Sequence, residues 1–133
     1  MTEIQRFYQQ KTVFITGGTG FIGKIMIEKL LRLLLSFTQL NRKFDSRCTD
    51  IARIYLLIRE KKGVEPRERL ETLFTTKLFD RLREEKASFQ TRVIPLEGDI
   101  EKPMLGLSLE DQTTLIDKVD IFFSDELYPL SLP

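Results

Sequence analysis

Three glycines near the amino terminus have the spacing that phosphate binding requires. Gly17, Gly20 and Gly23 form the pattern G-x-x-G-x-x-G within residues 16–23. Glycine has no Cβ, so a pyrophosphate can closely approach the backbone N–H groups of such a turn. A helix that begins after the turn adds its free N–H groups and its dipole at the same point. The pattern indicates a dinucleotide site, although an ordinary tight turn could also contain three glycines.

The residues around these glycines change from a strand pattern to a helix pattern. Residues 11–16 are mostly β-branched or aromatic and predict a buried strand that ends at the glycines. From Phe21 onward the apolar side chains recur at helical spacing and form one stripe, made of Ile22, Met26, Leu30 and Leu33. The polar, unpatterned residues 36–50 are interpreted as a loop.

Further strands and helices alternate along the rest of the chain. Residues 54–58, 92–96 and 119–123 predict strands, and the first of these runs is continuously apolar, as in a parallel strand covered on both faces. Helical spacing occurs over residues 66–85 and again over residues 108–116.

The second of these helices has a start signal, since Ser108 and Asp111 resemble a capping box. The alternation predicts an α/β fold for residues 1–133. We expect a Rossmann-like, doubly wound, mostly parallel sheet that is incomplete, with about four strands.

Bulk composition excludes several function classes. The 133 residues carry a formal net charge of +1, which gives no strong field for nucleic acid or an anionic membrane. The chain has no histidine, the commonest metal ligand and general base, and no metal site is expected. Its single cysteine, Cys48, suits a reducing, intracellular compartment. No apolar run reaches the roughly 20 residues of a membrane span, so no membrane segment is expected in this chain.

Charged residues after the second and third strands bear on the choice of cofactor. Arg59 directly follows the apolar run 54–58, and a basic residue there pairs with the 2′-phosphate of NADP, whereas an acidic one would favour NAD. Lys61 alone is better explained as part of a solvated turn. Asp99 follows the third strand, where a carboxylate can accept a hydrogen bond from the adenine amino group, or can simply complete a turn after Gly98.

Several longer segments resemble one known family. Residues 16–24 are similar to the start of the extended short-chain dehydrogenases/reductases. Residues 54–63, 93–100 and 103–108 are more specific, and together they resemble the N-terminal part of fatty acyl-CoA reductases over residues 11–123. The resemblance implies NADPH-dependent reduction of a long-chain fatty acyl-CoA to a fatty alcohol through an aldehyde. Family members often lie at peroxisomal or endoplasmic reticulum membranes, but no determinant of that location is visible in this chain.

The resemblance also assigns cofactor contacts by position. It implies that the backbone beside the glycines holds the pyrophosphate, at Thr19, Gly20, Phe21 and Ile22. Arg59, with Lys62, would hold the 2′-phosphate. Asp99 and Ile100 would border the adenine.

Two departures from the family pattern stand out. Residues 33–47 look like an insertion, which places Arg59 36 residues after Gly23, whereas the usual spacing is about 20. Residues 124–133 diverge from the family, which continues with a His-x-Ala-Ala segment.

The family's catalytic Tyr-x-x-x-Lys pair is also missing, because Thr12, Arg59 and Leu132 stand four residues after the three tyrosines. We therefore assign no catalytic residue and expect no turnover from this chain alone. An inactive NADP-binding remnant or a regulatory isoform is the alternative. A nucleotide-sugar epimerase shares the glycine turn but not residues 54–63. The sequence does not give the oligomeric state.

Overall fold

Four strands form one parallel sheet with helices on both faces. The computed structural model describes residues 3–8, 10–17, 19–40, 53–85 and 87–124. The order of elements is α1 Glu3–Tyr8, β1 Val13–Thr16, α2 Phe21–Leu40, β2 Ile54–Ile58, α3 Pro66–Phe74, α4 Asp80–Glu85, β3 Val93–Glu97, α5 Leu109–Lys118 and β4 Ile121–Ser124. Short 3₁₀ helices cover Lys77–Phe79, Ala87–Arg92 and Pro103–Gly106.

The strand order is β3-β2-β1-β4, and each neighbouring pair is parallel. The chain therefore builds the sheet outward from β1 through β2 to β3, and then returns to place β4 on the other side of β1. In open α/β sheets, ligands bind beyond the carboxyl ends of the strands where this order reverses. The prediction of a Rossmann-like parallel sheet is confirmed, and residues 17–23 follow β1 at this reversal point.

A separate hydrophobic core lies on each face of the sheet. On one face Val13, Ile15 and Leu56 pack with buried side chains of α2, α3 and α4. On the other face Phe14 and Tyr55 pack with residues of the Pro103–Gly106 turn and of α5. Every residue of β1 and β2 is buried, which explains why both strands are apolar apart from Thr16 at the end of β1. Pro95 lies in β3, an edge strand of the described sheet, where a missing N–H is tolerated.

The start of α5 agrees with the sequence prediction. Ser108 has an extended backbone, and its Oγ accepts a hydrogen bond of 3.1 Å from the backbone N–H of Asp111. This bond satisfies one of the N–H groups that a helix leaves free at its start. No helix among the described residues combines the length and apolarity that crossing a membrane requires.

The loop expected at residues 36–50 is wrong for residues 36–40, which continue α2 to Leu40. Neither glycine nor proline occurs between residues 24 and 40, so the backbone offers no point at which the helix must stop. The rest of the expected insertion, residues 41–47, lies outside the described residues, as does Cys48. Of the divergent tail only Ser124 is described, and it ends β4.

The continuous helix expected at residues 66–85 is also wrong, because it is broken between Phe74 and Asp80. The hydroxyls of Thr75 and Thr76 each donate a 2.7 Å hydrogen bond to a carbonyl three residues earlier. Such local bonds compete with the helical pattern. The side chain of Arg83 then donates to the carbonyls of Phe74 and Thr76, which closes the end of α3.

Candidate cofactor site

The glycine turn connects the carboxyl end of β1 to the first turn of α2. Gly17 has a φ of 72°, a conformation that glycine adopts without strain. Its carbonyl accepts a 3.0 Å hydrogen bond from the N–H of Gly20, and the Gly20 carbonyl accepts one of 3.0 Å from Lys24. The chain thus turns tightly after Gly17 and enters the helix at Phe21. Gly18 lies outside the described residues.

The first turn of α2 is open to solvent. Gly20 is exposed, and the side chains of Phe21 and Ile22 are 81% and 65% exposed. Gly23, by contrast, is buried, which is compatible with close packing of the helix. The first N–H groups of a helix have no partner within the helix and carry the positive end of its dipole. The backbone here can therefore bind an anion such as a pyrophosphate.

A cavity of about 400 Å³ lies beside this turn. One wall comes from the glycine turn and α2, and the other comes from the β2–α3 connection, α3 and the residues just after it. The lining residues are Thr19, Lys24, Lys61, Lys62, Val64, Arg69, Thr72, Leu73 and Thr76. Four of these side chains are cationic, and none of the described residues that line the cavity is acidic. The cavity therefore suits a ligand with a concentrated negative charge.

A two-residue turn presents the two lysines of the β2–α3 connection. Lys61 and Val64 form an antiparallel bridge, in which the N–H of Val64 donates a 3.0 Å hydrogen bond to the Lys61 carbonyl. Lys62 and Gly63 between them have φ values of 54° and 77°. Positive φ at both central positions defines the tight type I′ turn and explains the glycine. The turn places Lys61 and Lys62 at the cavity wall.

The two arginines near the cavity have different positions. The guanidinium of Arg69, on α3, donates a hydrogen bond to the backbone carbonyl of Arg59 and also lines the cavity. Arg59 itself is exposed and is not among the described residues that line the cavity. The sequence analysis selected Arg59 and Lys62 and missed Lys24 and Arg69. It also interpreted Lys61 as part of a solvated turn, whereas Lys61 lines the cavity. The available signal was that the first turns of α2 and α3 both start at the carboxyl edge of a parallel sheet.

Asp99 and Ile100 follow β3 at the same edge of the sheet. The N–H of Gly98 donates a 3.2 Å hydrogen bond to the carbonyl of Ile58, the last residue of β2. One carboxylate oxygen of half-buried Asp99, Oδ1, accepts a 3.0 Å hydrogen bond from the N–H of Glu101. Within the described part of the chain, the other oxygen, Oδ2, has no hydrogen-bond donor, and the N–H of Ile100 has no acceptor.

The structure thus gathers most of the selected residues at one edge. Thr19 and Lys62 share the cavity, and the open helix start with Gly20, Phe21 and Ile22 lies next to it. Asp99 and Ile100 lie beyond the end of β3, the strand that neighbours β2. Among the described residues, no group of three or more His, Cys, Asp or Glu side chains could hold a metal ion.

Comparison with known proteins identifies the family. The family model of NAD-binding domains described as male sterility protein matches residues 15–125. This chain belongs to the male sterility protein family. The residues that match begin within β1 and run past the end of β4, so this NAD-binding family accounts for nearly all of the described sheet.

Relatives of this male sterility protein domain carry more specific names. Over 123 residues the chain is 42% identical to fatty acyl-CoA reductase 1 of Xenopus laevis, covering 92% of this chain and 21% of the relative. It is 38% identical over 118 residues to the fatty acyl-CoA reductase wat of Drosophila melanogaster, covering 89% of this chain and 20% of the relative. The sequence resemblance to fatty acyl-CoA reductases is confirmed, and the chain spans about a fifth of these relatives' length.

Solved structures with a similar fold are also reductase domains. The reductase domain of a non-ribosomal peptide synthetase from Mycobacterium tuberculosis superposes with a TM-score of 0.61 at 28% identity, over 87% of this chain and 24% of that one. The terminal R domain from the myxalamid PKS-NRPS biosynthetic pathway gives 0.55 at 27% identity, over 92% and 26%. Both likenesses support the Rossmann-like fold of the male sterility protein domain.

Proposed function

We propose that this chain binds NADPH and forms the cofactor-binding part of an enzyme that reduces long-chain fatty acyl-CoA to fatty alcohol. The observation that carries the proposal is the cationic cavity beside the glycine turn. Family membership supports an NAD-type dinucleotide, and the names of the relatives support the substrate class. The chain's own residues contribute binding and orientation of the cofactor, and NADPH supplies the hydride when it is bound.

The open first turn of α2 is suited to the pyrophosphate. The N–H groups of Thr19, Gly20, Phe21 and Ile22 belong to the turn and the helix start, where an anion is stabilised by free donors and by the helix dipole. Gly17 allows the sharp turn through its positive φ. Gly23 is buried in α2, as expected where a helix lies close to the neighbouring strand.

The positive cavity favours NADPH over NADH. NADH needs an acceptor for its ribose 2′-hydroxyl, usually a carboxylate, and the cavity wall has none in the part of the chain that the structure describes. A 2′-phosphate would instead meet Lys62, with Lys24, Lys61 and Arg69 around it. Arg59 stands at the start of the same connection, where its exposed side chain can reach the phosphate from outside. Arginine and lysine side chains form the strong, charge-assisted hydrogen bonds that phosphate oxygens accept.

The free groups after β3 match the edge of an adenine ring. The Oδ2 of Asp99 and the N–H of Ile100 have no partner among the described residues. The first can accept a hydrogen bond from the exocyclic amino group, and the second can donate one to a ring nitrogen. An acceptor and a donor on successive residues can together recognise adenine, and this recognition requires no catalytic group. This arrangement supports placing the adenosine half of the cofactor across β2 and β3.

Direct binding to the 133-residue chain tests the proposal. Isothermal titration should show NADPH binding at least about tenfold more tightly than NADH, because a hydrogen bond to a charged group contributes about 1.5–3 kcal/mol. Lys62→Glu should remove this preference. Lys118→Glu, a change of an exposed lysine on α5, serves as the control and should leave it intact. Equal affinity of the unmodified chain for both nucleotides contradicts the NADPH assignment, and failure to bind either contradicts nucleotide binding.

The family's Tyr-x-x-x-Lys pair does not occur within these 133 residues. We therefore propose that this stretch of chain by itself binds NADPH without turning over substrate. The cofactor site proposed above is the same whether or not further residues follow.

A further inference from the structure

The connection between β3 and α5 contains a left-handed turn. Met104, Leu105 and Gly106 are consecutive and have φ values of 52°, 58° and 63°. For Met104 and Leu105 this conformation is strained, because the Cβ of an L-residue approaches its own backbone oxygen. Leu105 is nevertheless buried in the core on the α5 face, together with Leu57 and Leu96. Packing of the Leu105 side chain therefore holds the turn in place, and strain that persists in this way is often found at functional sites.

The turn fixes the residue that faces the proposed adenine. The carbonyl of Leu105 accepts a 2.7 Å hydrogen bond from the N–H of Asp99, and the Asp99 carbonyl accepts one of 3.0 Å from Lys102. The Oδ1 atom of Asp99 is held by the N–H of Glu101. The backbone donor, the backbone acceptor and one carboxylate oxygen of Asp99 are thus all used within this segment. Only Oδ2 is left for a ligand among the contacts that the structure describes.

Close packing at Gly98 ties the same turn to the sheet. A Cβ at this position would lie 2.3 Å from Cδ1 of Leu57 and 2.5 Å from the carbonyl oxygen of Leu105. Since both contacts are far below van der Waals distance, the turn can approach the end of β3 only where a glycine stands. The position of Asp99 is therefore set by the core, through Leu105, and not by the local loop alone.

We propose that the left-handed turn of Met104, Leu105 and Gly106 is a positioning element that aims the Asp99 carboxylate at the adenine amino group. The inference rests on the proposed function, in which Asp99 and Ile100 face the base. It adds that selection of a 6-amino purine depends on a turn that need not touch the ligand. A carboxylate only accepts hydrogen bonds, so it binds the amino group of adenine and repels the 6-oxo oxygen of hypoxanthine.

The test compares NADPH with its 6-oxo analogue, reduced nicotinamide hypoxanthine dinucleotide phosphate, by titration into the 133-residue chain. The unmodified chain should prefer NADPH by about tenfold or more, since the analogue leaves the carboxylate unpaired. Both ligands carry the 2′-phosphate and the pyrophosphate, so the ratio of their affinities isolates the base. Asp99→Asn should remove the preference, because an amide can donate to the 6-oxo oxygen.

Gly106→Ala is the deciding variant. Its Cβ would lie 3.1 Å from the backbone N of Asp99 and 3.3 Å from Cδ of Lys102, so Asp99 must shift by a few tenths of an ångström. We expect the preference for NADPH to fall by about threefold or more, given that misplacement by 1 Å can cost about a hundredfold. Gly106→Asn places a Cβ at the same point but tolerates positive φ better, so it tests the same contact if the alanine variant fails to fold.

Two matched variants separate positioning from general strain. Gln10→Val adds strain at another left-handed residue, exposed and outside the proposed site, with φ of 59°, and should keep the full preference. Met104→Gly relieves strain at a residue whose side chain is 45% exposed, and it should also keep the preference. If Gly106→Ala and Gly106→Asn both retained the preference of the unmodified chain, the positioning role would be wrong. If the unmodified chain did not distinguish the two bases, the adenine assignment itself would be wrong, and if it bound neither ligand, so would the proposed function.

Discussion

Arg69 makes two contacts that belong to different tasks. Its guanidinium donates a hydrogen bond to the carbonyl of Arg59, and the same side chain lines the cationic cavity. The first contact shapes the connection between β2 and α3, whereas the second adds charge where the 2′-phosphate is proposed to bind. Methionine at this position would remove both contacts, whereas lysine would keep the charge and lose the planar fork of arginine.

We predict that Arg69→Met weakens binding of NADPH by about tenfold or more and binding of NADH by less than about threefold, because one charge-assisted contact is lost. Arg59→Asp should also weaken NADPH more than NADH, by charge repulsion. Arg67→Met, at an exposed position on the same helix, is the control and should change neither affinity. Equal losses for both nucleotides in the Arg69 and Arg59 variants would assign these arginines a purely structural role.

The close packing around Gly98 leads to a prediction about the free energy of unfolding. Gly98→Ala should lower the free energy of unfolding by about 1–3 kcal/mol, as overpacking of a core usually does. The reason is the backbone oxygen of Leu105, 2.5 Å from the added Cβ, which cannot move without disturbing the left-handed turn. Glu97→Ala, at the exposed neighbouring position, should stay within about 0.5 kcal/mol. Urea unfolding of the two variants measures this, and an unchanged midpoint for Gly98→Ala would contradict the packing.

Among the elements, the break between α3 and α4 shows where periodicity misleads. Leucine and phenylalanine side chains continue at helical spacing across the break, since Leu73, Phe79 and Leu82 all reach the same core. The helical spacing of buried side chains therefore continues across the break, although the backbone there is not α-helical. The break depends on threonine hydroxyls and on Arg83, whose contacts join positions up to nine residues apart.

Arg83→Met should destabilise the fold by about 1–2 kcal/mol, because the carbonyls at the end of α3 lose a charged donor. Arg81→Met is a close control, since Arg81 forms an exposed 3.2 Å ion pair with Glu85 on the same helix. Pairs of that kind contribute about 0.3–0.5 kcal/mol. Thermal unfolding should therefore separate the two variants clearly. If both lowered the stability equally, the contacts of Arg83 with α3 would contribute no more than a surface ion pair.

At the scale of the whole molecule, the groups proposed to bind the cofactor lie along one edge of the described sheet. The glycine turn, the cavity and Asp99 all lie at the carboxyl edge of β1, β2 and β3. The proposed reaction further needs a proton donor for the developing alkoxide. The Tyr-x-x-x-Lys pair that fills this role in the family does not occur in the sequence.

The 133-residue chain incubated with NADPH and palmitoyl-CoA should show no loss of NADPH absorbance above the blank. It should still be stabilised by NADPH, because a ligand that binds only the folded state raises its unfolding temperature. Both measurements use the same preparation, so the second shows that the protein is folded and competent to bind. Steady NADPH oxidation that disappears in Gly20→Asp would show that the chain is catalytic by itself.

The sequence by itself determined the elements whose causes are local. Glycines spaced at positions 17, 20 and 23 specify a turn because only glycine adopts the φ of Gly17 freely. Continuous apolar residues specify β1 and β2 because both faces of a parallel strand are covered. Ser108 specifies the start of α5 because its hydroxyl satisfies a backbone N–H within one turn. The turn and the helix start depend on residues a few positions apart, and the apolar runs are visible directly in the sequence.

Only the tertiary structure decided which side chains converge. Lys24, Lys62 and Arg69 line one cavity because parallel pairing of β1 with β2 brings the starts of α2 and α3 together. Arg59 directly follows β2, where the sequence predicts the residue that binds the 2′-phosphate. Its side chain is nevertheless not among those that line the cavity. The left-handed turn at Leu105 likewise depends on a core formed with Phe14 and Tyr55, distant along the chain. Such contacts arise from the packing of the whole sheet, which no short stretch of sequence encodes.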